Sequence, residues 1–256
     1  MKPHLFGIVV LLIIVAVPGS HVISQNQEST AKPLYRSTGS EASVVGTVSV
    51  SGEIPKPMRI DMFADPICVQ LNQKPETQWI IVNGDKLKNV LLFVKRAEVL
   101  DYYRFEQPDT DVVLDHHDCQ YSPRVLGVRV GQRLIINNRD QTQHNTHPTP
   151  ANNTEWNQSQ PINAPPLVKI FSRSEFAIPI KCNQHPWEKA YVGVFNNPFF
   201  AVSDELGNFQ IDGLPPGKYT FVAWHEKLGE QEIEVTLVPG EHRSLDFTFK
   251  VKEEKN

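Results

Sequence analysis

The sequence predicts an all-β protein, and three observations carry that expectation. Short runs rich in Val, Ile, Phe and Tyr recur between turn residues. Twenty Pro and 14 Gly among 256 residues interrupt any long helix. No stretch sustains the apolar repeat of an amphipathic helix; the nearest candidate, residues 102–107, is too short. Hydrophobic residues at 40% and charged residues at 21% exclude wholesale disorder. A net charge of -4 excludes the basic surface that a nucleic-acid binder uses.

Lys2 precedes a 13-residue apolar run, residues 5–17, that stops at Pro18-Gly19-Ser20. Such a run is short for a membrane span of about 20 residues. It fits a secretory signal over residues 1–24, cut near Ser20 or Ser24; an uncleaved N-terminal anchor is the competing reading. Past the signal no segment is long enough to form a stable membrane span. The mature chain is therefore expected in the periplasm or outside the cell, where disulfides persist. Residues 25–42 are polar and read as a linker. Residues 43–52 alternate and end on a Gly turn. Strand runs follow at 79–82, 89–94, 111–115, 125–130 and 133–137. Residues 141–166 are polar and rich in Pro and Asn, which reads as a long loop of the kind that carries function. Strands resume at 169–171, 175–180 and 190–195. Asn196-Asn197-Pro198 marks a boundary, so one domain is expected over 43–197 and a smaller one over 198–251. The second holds strands at 219–224, 231–238 and 244–251, and the tail 252–256 is charged.

Two segments carry chemistry. His144-Asn145-Thr146-His147 lies in the long loop, and Cys182-Asn183-Gln184-His185-Pro186-Trp187-Glu188 follows a strand. A soft thiolate with two imidazoles suits copper. The order His, Cys, short loop, His, with Asn directly after the first His, resembles the type 1 copper site of cupredoxins. That resemblance implies His144, Cys182 and His185 as copper ligands. It implies Asn145 as the tie between the His and Cys loops, with Trp187 and Pro186 walling the His185 edge. An axial Met normally completes such a site, but the three Met residues are Met1, Met58 and Met62, all far upstream. Glu188 stands where related chains often carry that Met. As a ligand, this carboxylate is harder than a thioether, favours Cu(II) over Cu(I), and shifts a blue site towards a tetragonal, red one. Glu188 pointing to solvent is the alternative. Zinc held by His144, Cys182, His185 and Glu188 is also chemically allowed, as is Cys182 as a buried thiol beside ordinary surface histidines. If Cys182 holds metal, Cys68 and Cys119 remain and can pair. His147 reads as an outer-loop residue, His116-His117 as a solvated turn, His225 as an exposed strand end and His242 as part of a charged loop.

The cupredoxin resemblance spans residues 43–195. With Cys119-Gln120-Tyr121 and Pro123 upstream of Cys-x-x-His-Pro-Trp, it looks like periplasmic cupredoxin-like proteins of bacteria, some labelled methylamine-utilisation proteins. Residues 199–251 resemble the carboxypeptidase regulatory-like, transthyretin-like β-sandwich, through Asp204, Gly207 and Phe209 and the turn Leu214-Pro215-Pro216-Gly217 before Tyr219. Together they imply a cupredoxin-like Greek-key β-sandwich followed by a smaller sandwich. The implied function is one-electron transfer, not enzymatic catalysis, to an unidentified redox partner protein through an exposed edge of His185. A copper carrier or buffer, and an interaction module with a degenerate site, are the other readings. Hydrolysis is the weakest class, since neither a Gly-x-Ser-x-Gly nor a His-Glu-x-x-His motif occurs.

Overall fold

A computed structural model describes residues 31–251. The expected signal and the charged tail lie outside the described residues. The chain runs β1 (Ala42–Ser51), α1 (Pro66–Leu71), β2 (Val82–Asn83), β3 (Lys86–Leu87), β4 (Leu91–Arg96) and α2 (Glu98–Asp101). It continues through β5 (Val112–His117), β6 (Gln120–Ser122), β7 (Val125–Arg129), β8 (Arg133–Asn138), β9 (His144–Pro148), β10 (Gln158–Gln160), β11 (Leu167–Ile170), β12 (Glu175–Lys181) and β13 (Lys189–Phe195). It ends with β14 (Phe200–Val202), β15 (Asn208–Leu214), β16 (Gly217–His225), β17 (Gly229–Leu237), β18 (His242–Ser244) and β19 (Phe247–Lys250). The all-β expectation holds. Among the described residues no helix is long and apolar enough to cross a membrane.

The strands form two sandwiches. In the first, the sheet β10-β9-β12-β13-β7 faces the sheet β11-β8-β5-β6. Leu114, Leu134, Ile136, Ile178, Ile180 and Val192 fill the space between them with no exposure to solvent. Alternation explains this core: along β8, Leu134 and Ile136 point in while Arg133 points out. In the second, the sheet β15-β1-β3-β2, extended by β18 and β19, packs on the sheet β14-β4-β16-β17. Its core holds Val44, Val48, Leu92, Phe209, Tyr219, Phe221, Phe247 and Phe249.

The expected division at residue 197 does not describe this pairing. β1 lies antiparallel to β15 and parallel to β18 and β19, and β4 lies antiparallel to both β14 and β16. Strands β1 to β4 therefore belong to the sandwich of the C-terminal strands, and β5–β13 form an insert within it, with α1 packed on the insert. Inward Val44 and Val48 on β1 need an opposing apolar face, and Leu92, Tyr219 and Phe221 of the facing sheet supply it, with Phe247 and Phe249 beside them in the same sheet. Two further expectations are corrected. The long loop contains β9 and β10, whose pairing with each other and of β9 with β12 overrides their polar composition. The linker is tied down at its end: Tyr35 donates its backbone N–H to Arg104 O (2.8 Å) and packs on Tyr103.

The two sandwiches meet along β7 and β13. Leu91, Phe93 and Val222 pack there against Val125 and Phe195. Gly127 and Gly193 sit opposite each other in register. A Cβ on Gly127 would lie 2.4 Å from the Phe200 ring, so this close approach requires glycine. Beside it, Arg124 makes a two-pronged, buried ion pair with Glu226 of the other sandwich and donates a third bond to Lys189 O (3.3 Å).

Candidate metal centre

The site forms at one end of the insert, where β9 begins and the turn between β12 and β13 folds back. His144 opens β9 and Cys182 follows β12 directly. The six residues after Cys182 form a tight loop: Cys182 N–H donates to Glu188 O (3.3 Å) and Glu188 N–H to His185 O (2.9 Å). Asn145 ties this loop to β9. Its Oδ1 accepts from Asn183 N (2.7 Å) and Gln184 N (3.3 Å), while its Nδ2 donates to Asn157 Oδ1 (2.6 Å). The tie expected of Asn145 is thus present.

His144, Cys182, His185 and Glu188 converge, and all four are buried. Glu188 Oε2 is 2.9 Å from His144 Nδ1 and 3.8 Å from His185 Nδ1, and the two Nδ1 atoms are 3.0 Å apart. Cys182 Sγ is 3.9 Å from His144 Nδ1 and 3.7 Å from His185 Nδ1. A tetrahedron with bonds of about 2.0–2.3 Å to N, O and S has edges of roughly 3.3–3.8 Å. The two contacts of His185 Nδ1 with Cys182 Sγ and Glu188 Oε2 match such edges, the Cys182–His144 distance is slightly longer, and the 2.9 and 3.0 Å contacts of His144 Nδ1 are hydrogen-bond distances that would have to widen around an ion. Glu188 points into the site and not to solvent.

Three of the four donors have a partner behind them, buried for His144 and Glu188 and half-buried for His185. His144 Nε2 lies 2.9 Å from Asp140 Oδ2, an acceptor that holds the proton on Nε2 and turns the Nδ1 lone pair inward. His185 Nε2 lies 3.1 Å from Asp65 Oδ2. Glu188 Oε1 lies 2.6 Å from His116 Nδ1, leaving only Oε2 facing the donors. With neutral imidazoles, Cys182 thiolate, Glu188, Asp65 and Asp140 would put four negative charges together. Buried charge of that density calls for cations. Without metal, protons meet that need. Burial pushes His144 down, but hydrogen bonds from its ring to Asp140, Cys182 and Glu188 hold it up at about 11. Burial likewise opposes His185, which Cys182 and Glu188 raise to about 9. Burial pushes the Cys182 thiol up, and the His144 and His185 contacts outweigh it, so the net shift is downward. Burial would also raise Glu188, yet His116, His144 and His185 hold it well below the usual carboxylate range.

Cys68 and Cys119 form a disulfide that anchors α1 beside the site. Trp187 donates Nε1–H to Cys119 O (3.0 Å), and its ring centroid lies 5.2 Å from that of His185. Four expectations need correction. His185 is only 3% exposed, because Asp65 and the disulfide cover the edge expected to face solvent. His116 is fully buried against Glu188, while its neighbour His117 stays exposed. Leu114 and His116 share one parity on β5, which places both inward. His225 is buried by the same logic, on the parity of Tyr219, Phe221 and Ala223 along β16. His242 stands on β18 and bonds Ser43 Oγ (2.6 Å). His147 is apart from the centre, between Glu155 Oε1 (2.7 Å) and Asn183 Oδ1 (3.1 Å). Sequence reasoning missed Asp65 and Asp140.

The family model of the carboxypeptidase regulatory-like domain matches residues 183–250, from the site loop through β19. No curated protein matches the chain in sequence. Among solved structures, a purple cupredoxin from Nitrosopumilus maritimus is 21% identical with a TM-score of 0.29, covering 33% of this chain and all of its own. A reduced Cu(I) form of an amicyanin variant is 24% identical with a TM-score of 0.30, covering 35% of this chain and 87% of its own. A copper-containing nitrite reductase from Thermus scotoductus is 14% identical with a TM-score of 0.32, covering 55% of this chain and 28% of its own. The chain is thus similar to cupredoxins over about a third of its length and matches a carboxypeptidase regulatory-like domain from the site loop to its last strand.

Proposed function

We propose that this is an exported copper protein that transfers single electrons at a mononuclear centre held by His144, Cys182, His185 and Glu188. The observation that carries the reading is the convergence of one thiol, two Nδ1 atoms and one carboxylate oxygen, each buried. A soft thiolate with two imidazoles suits copper, which would supply a one-electron Cu(II)/Cu(I) couple there. The surrounding residues do the rest. Asp140 fixes the tautomer of His144, and His116 holds Glu188 by one oxygen. Asn145 keeps Cys182 in place through the loop N–H groups. Burial of all four donors favours a resident metal over cargo, because a carrier needs an open route for exchange. Trp187, half-buried and packed on His185, is the route by which an electron reaches the surface. The disulfide accords with an oxidising compartment outside the cytoplasm. The carboxylate and the closed, four-donor set also suit structural zinc, which is the second reading.

Titration of the purified protein with Cu(II), followed by visible and EPR spectra, tests this. One copper per chain with an intense thiolate-to-copper band, lost in Cys182→Ala, and reversible one-electron reduction are expected. Tight uptake of Zn(II) with no stable Cu(II)–thiolate band would replace the redox reading by the structural one.

A further inference from the structure

Asp65 comes from a part of the chain remote from every donor, 120 residues before His185. Its two carboxylate oxygens have separate tasks. Oδ1 caps α1, accepting from Ile67 N (2.9 Å) and Cys68 N (3.4 Å). Oδ2 accepts from Thr142 Oγ1 (2.5 Å) and faces His185 Nε2 (3.1 Å). An acceptor at that position keeps the proton on Nε2 and leaves the Nδ1 lone pair pointing at Cys182, His144 and Glu188.

What brings Asp65 there is the Cys68–Cys119 bond, three residues further along. Cys68 Sγ itself lies 3.5 Å from His185 Nε2. At the other end of the bond, Cys119 N–H donates to Asp140 Oδ2 (2.9 Å), the same oxygen that faces His144 Nε2. One disulfide therefore joins the two carboxylates that stand behind the two imidazoles. Met62, Leu71 and Trp187 pack around it and close the gap to solvent.

We infer that Asp65 is a positioning residue of the metal centre, and that the Cys68–Cys119 disulfide locks it over His185 so that the metal is retained and its divalent state favoured. This rests on the metal reading above. Asp65→Asn separates the two tasks. Asn caps a helix as well as Asp does, so α1 keeps its start while His185 loses a charged acceptor. The double variant Cys68→Ser/Cys119→Ser does the converse, keeping Asp65 and freeing the segment that carries it.

The test uses the full-length mature protein and Cu(II) alone, competed with a chelator, beside potentiometry and urea unfolding of the metal-free form. Asp65→Asn is expected to lose about 10–100-fold in Cu(II) affinity while its metal-free form still unfolds in one cooperative transition. Each tenfold loss for Cu(II) not matched for Cu(I) raises the potential by about 59 mV. The disulfide variant is expected to release Cu(II) to the chelator at least tenfold faster. Asp65→Asn with wild-type affinity and potential overturns the positioning role, and wild-type release from the disulfide variant overturns the lock. A wild-type chain that takes up neither Cu(II) nor Zn(II) overturns the metal reading itself.

Discussion

Asn145 offers the sharpest link between loop structure and metal retention. Replacing it with Ala removes one acceptor shared by Asn183 N and Gln184 N and one donor to Asn157 Oδ1. At 6% exposure, water does not readily replace these bonds. A hydrogen bond contributes about 0.5–1.5 kcal/mol net, so two strong bonds and one long one amount to about 2–3 kcal/mol. Two of these three bonds hold the loop from Cys182 to Glu188, which carries three of the four donors. If the loop opens without the rest of the insert, the share of those two bonds, about 1–2 kcal/mol, appears as a metal affinity lowered about 5–30-fold, at about 1.4 kcal/mol per decade. Urea unfolding of the metal-free protein gives the first quantity, and chelator competition followed at the thiolate-to-copper band gives the second. Asn145→Asp is the control: it keeps an acceptor for both N–H groups and should recover most of the loss. An Asn145→Ala protein within 0.5 kcal/mol and threefold of wild type would refute the idea that this side chain holds the loop.

Three other outcomes are expected. Glu226→Ala strands the buried Arg124 guanidinium and should lower stability by about 3–5 kcal/mol, whereas the pair Arg124→Met/Glu226→Leu should recover much of it, both read by denaturant midpoints. Burial depresses His225 from 6.5 to about 4. The unfolded chain therefore takes up a proton that the native chain refuses, so stability present above pH 6.5 falls by about 3 kcal/mol as pH drops towards 4. His225→Gln should flatten that limb of a stability profile. Gly127→Ala drives a methyl into the Phe200 ring and should cost about 1–3 kcal/mol; a neutral result in thermal melts would mean the two sandwiches separate there freely.

Much of the architecture was legible because alternation is local. The runs around β8, β12, β13 and β16 show their inward residues directly, and the four donors lie in two short segments. What escaped depends on distance or on one step of parity. β1 finds its partners about 200 residues away, and nothing in its own alternation names them. β9 and β10 are polar strands held by their neighbours, so composition read them as loop. His116 was recoverable, since it shares parity with Leu114, but beside His117 it read as a solvated pair. Asp65 was not recoverable, because only the disulfide brings α1 to the site.

The insertion of one sandwich within the other has a consequence for biogenesis. As the chain emerges from its N-terminus, β1 to β4 appear first; β1, β3 and β2 can pair with one another, but the partners of β4 and the remaining partners of β1 lie in β14 to β19 and follow only later. At 5–20 residues per second, that delay is roughly 10–30 seconds. The insert is complete well before then. Cys119 follows Cys68 by 51 residues, so the bond over the metal centre can close while the outer sandwich is still half made. The order of events would be insert, lock, then host. A metal that arrives after the lock would meet a site already shut, whereas a late oxidant would leave it open for longer, so the relative timing of oxidation and metal arrival becomes part of how such a centre is filled.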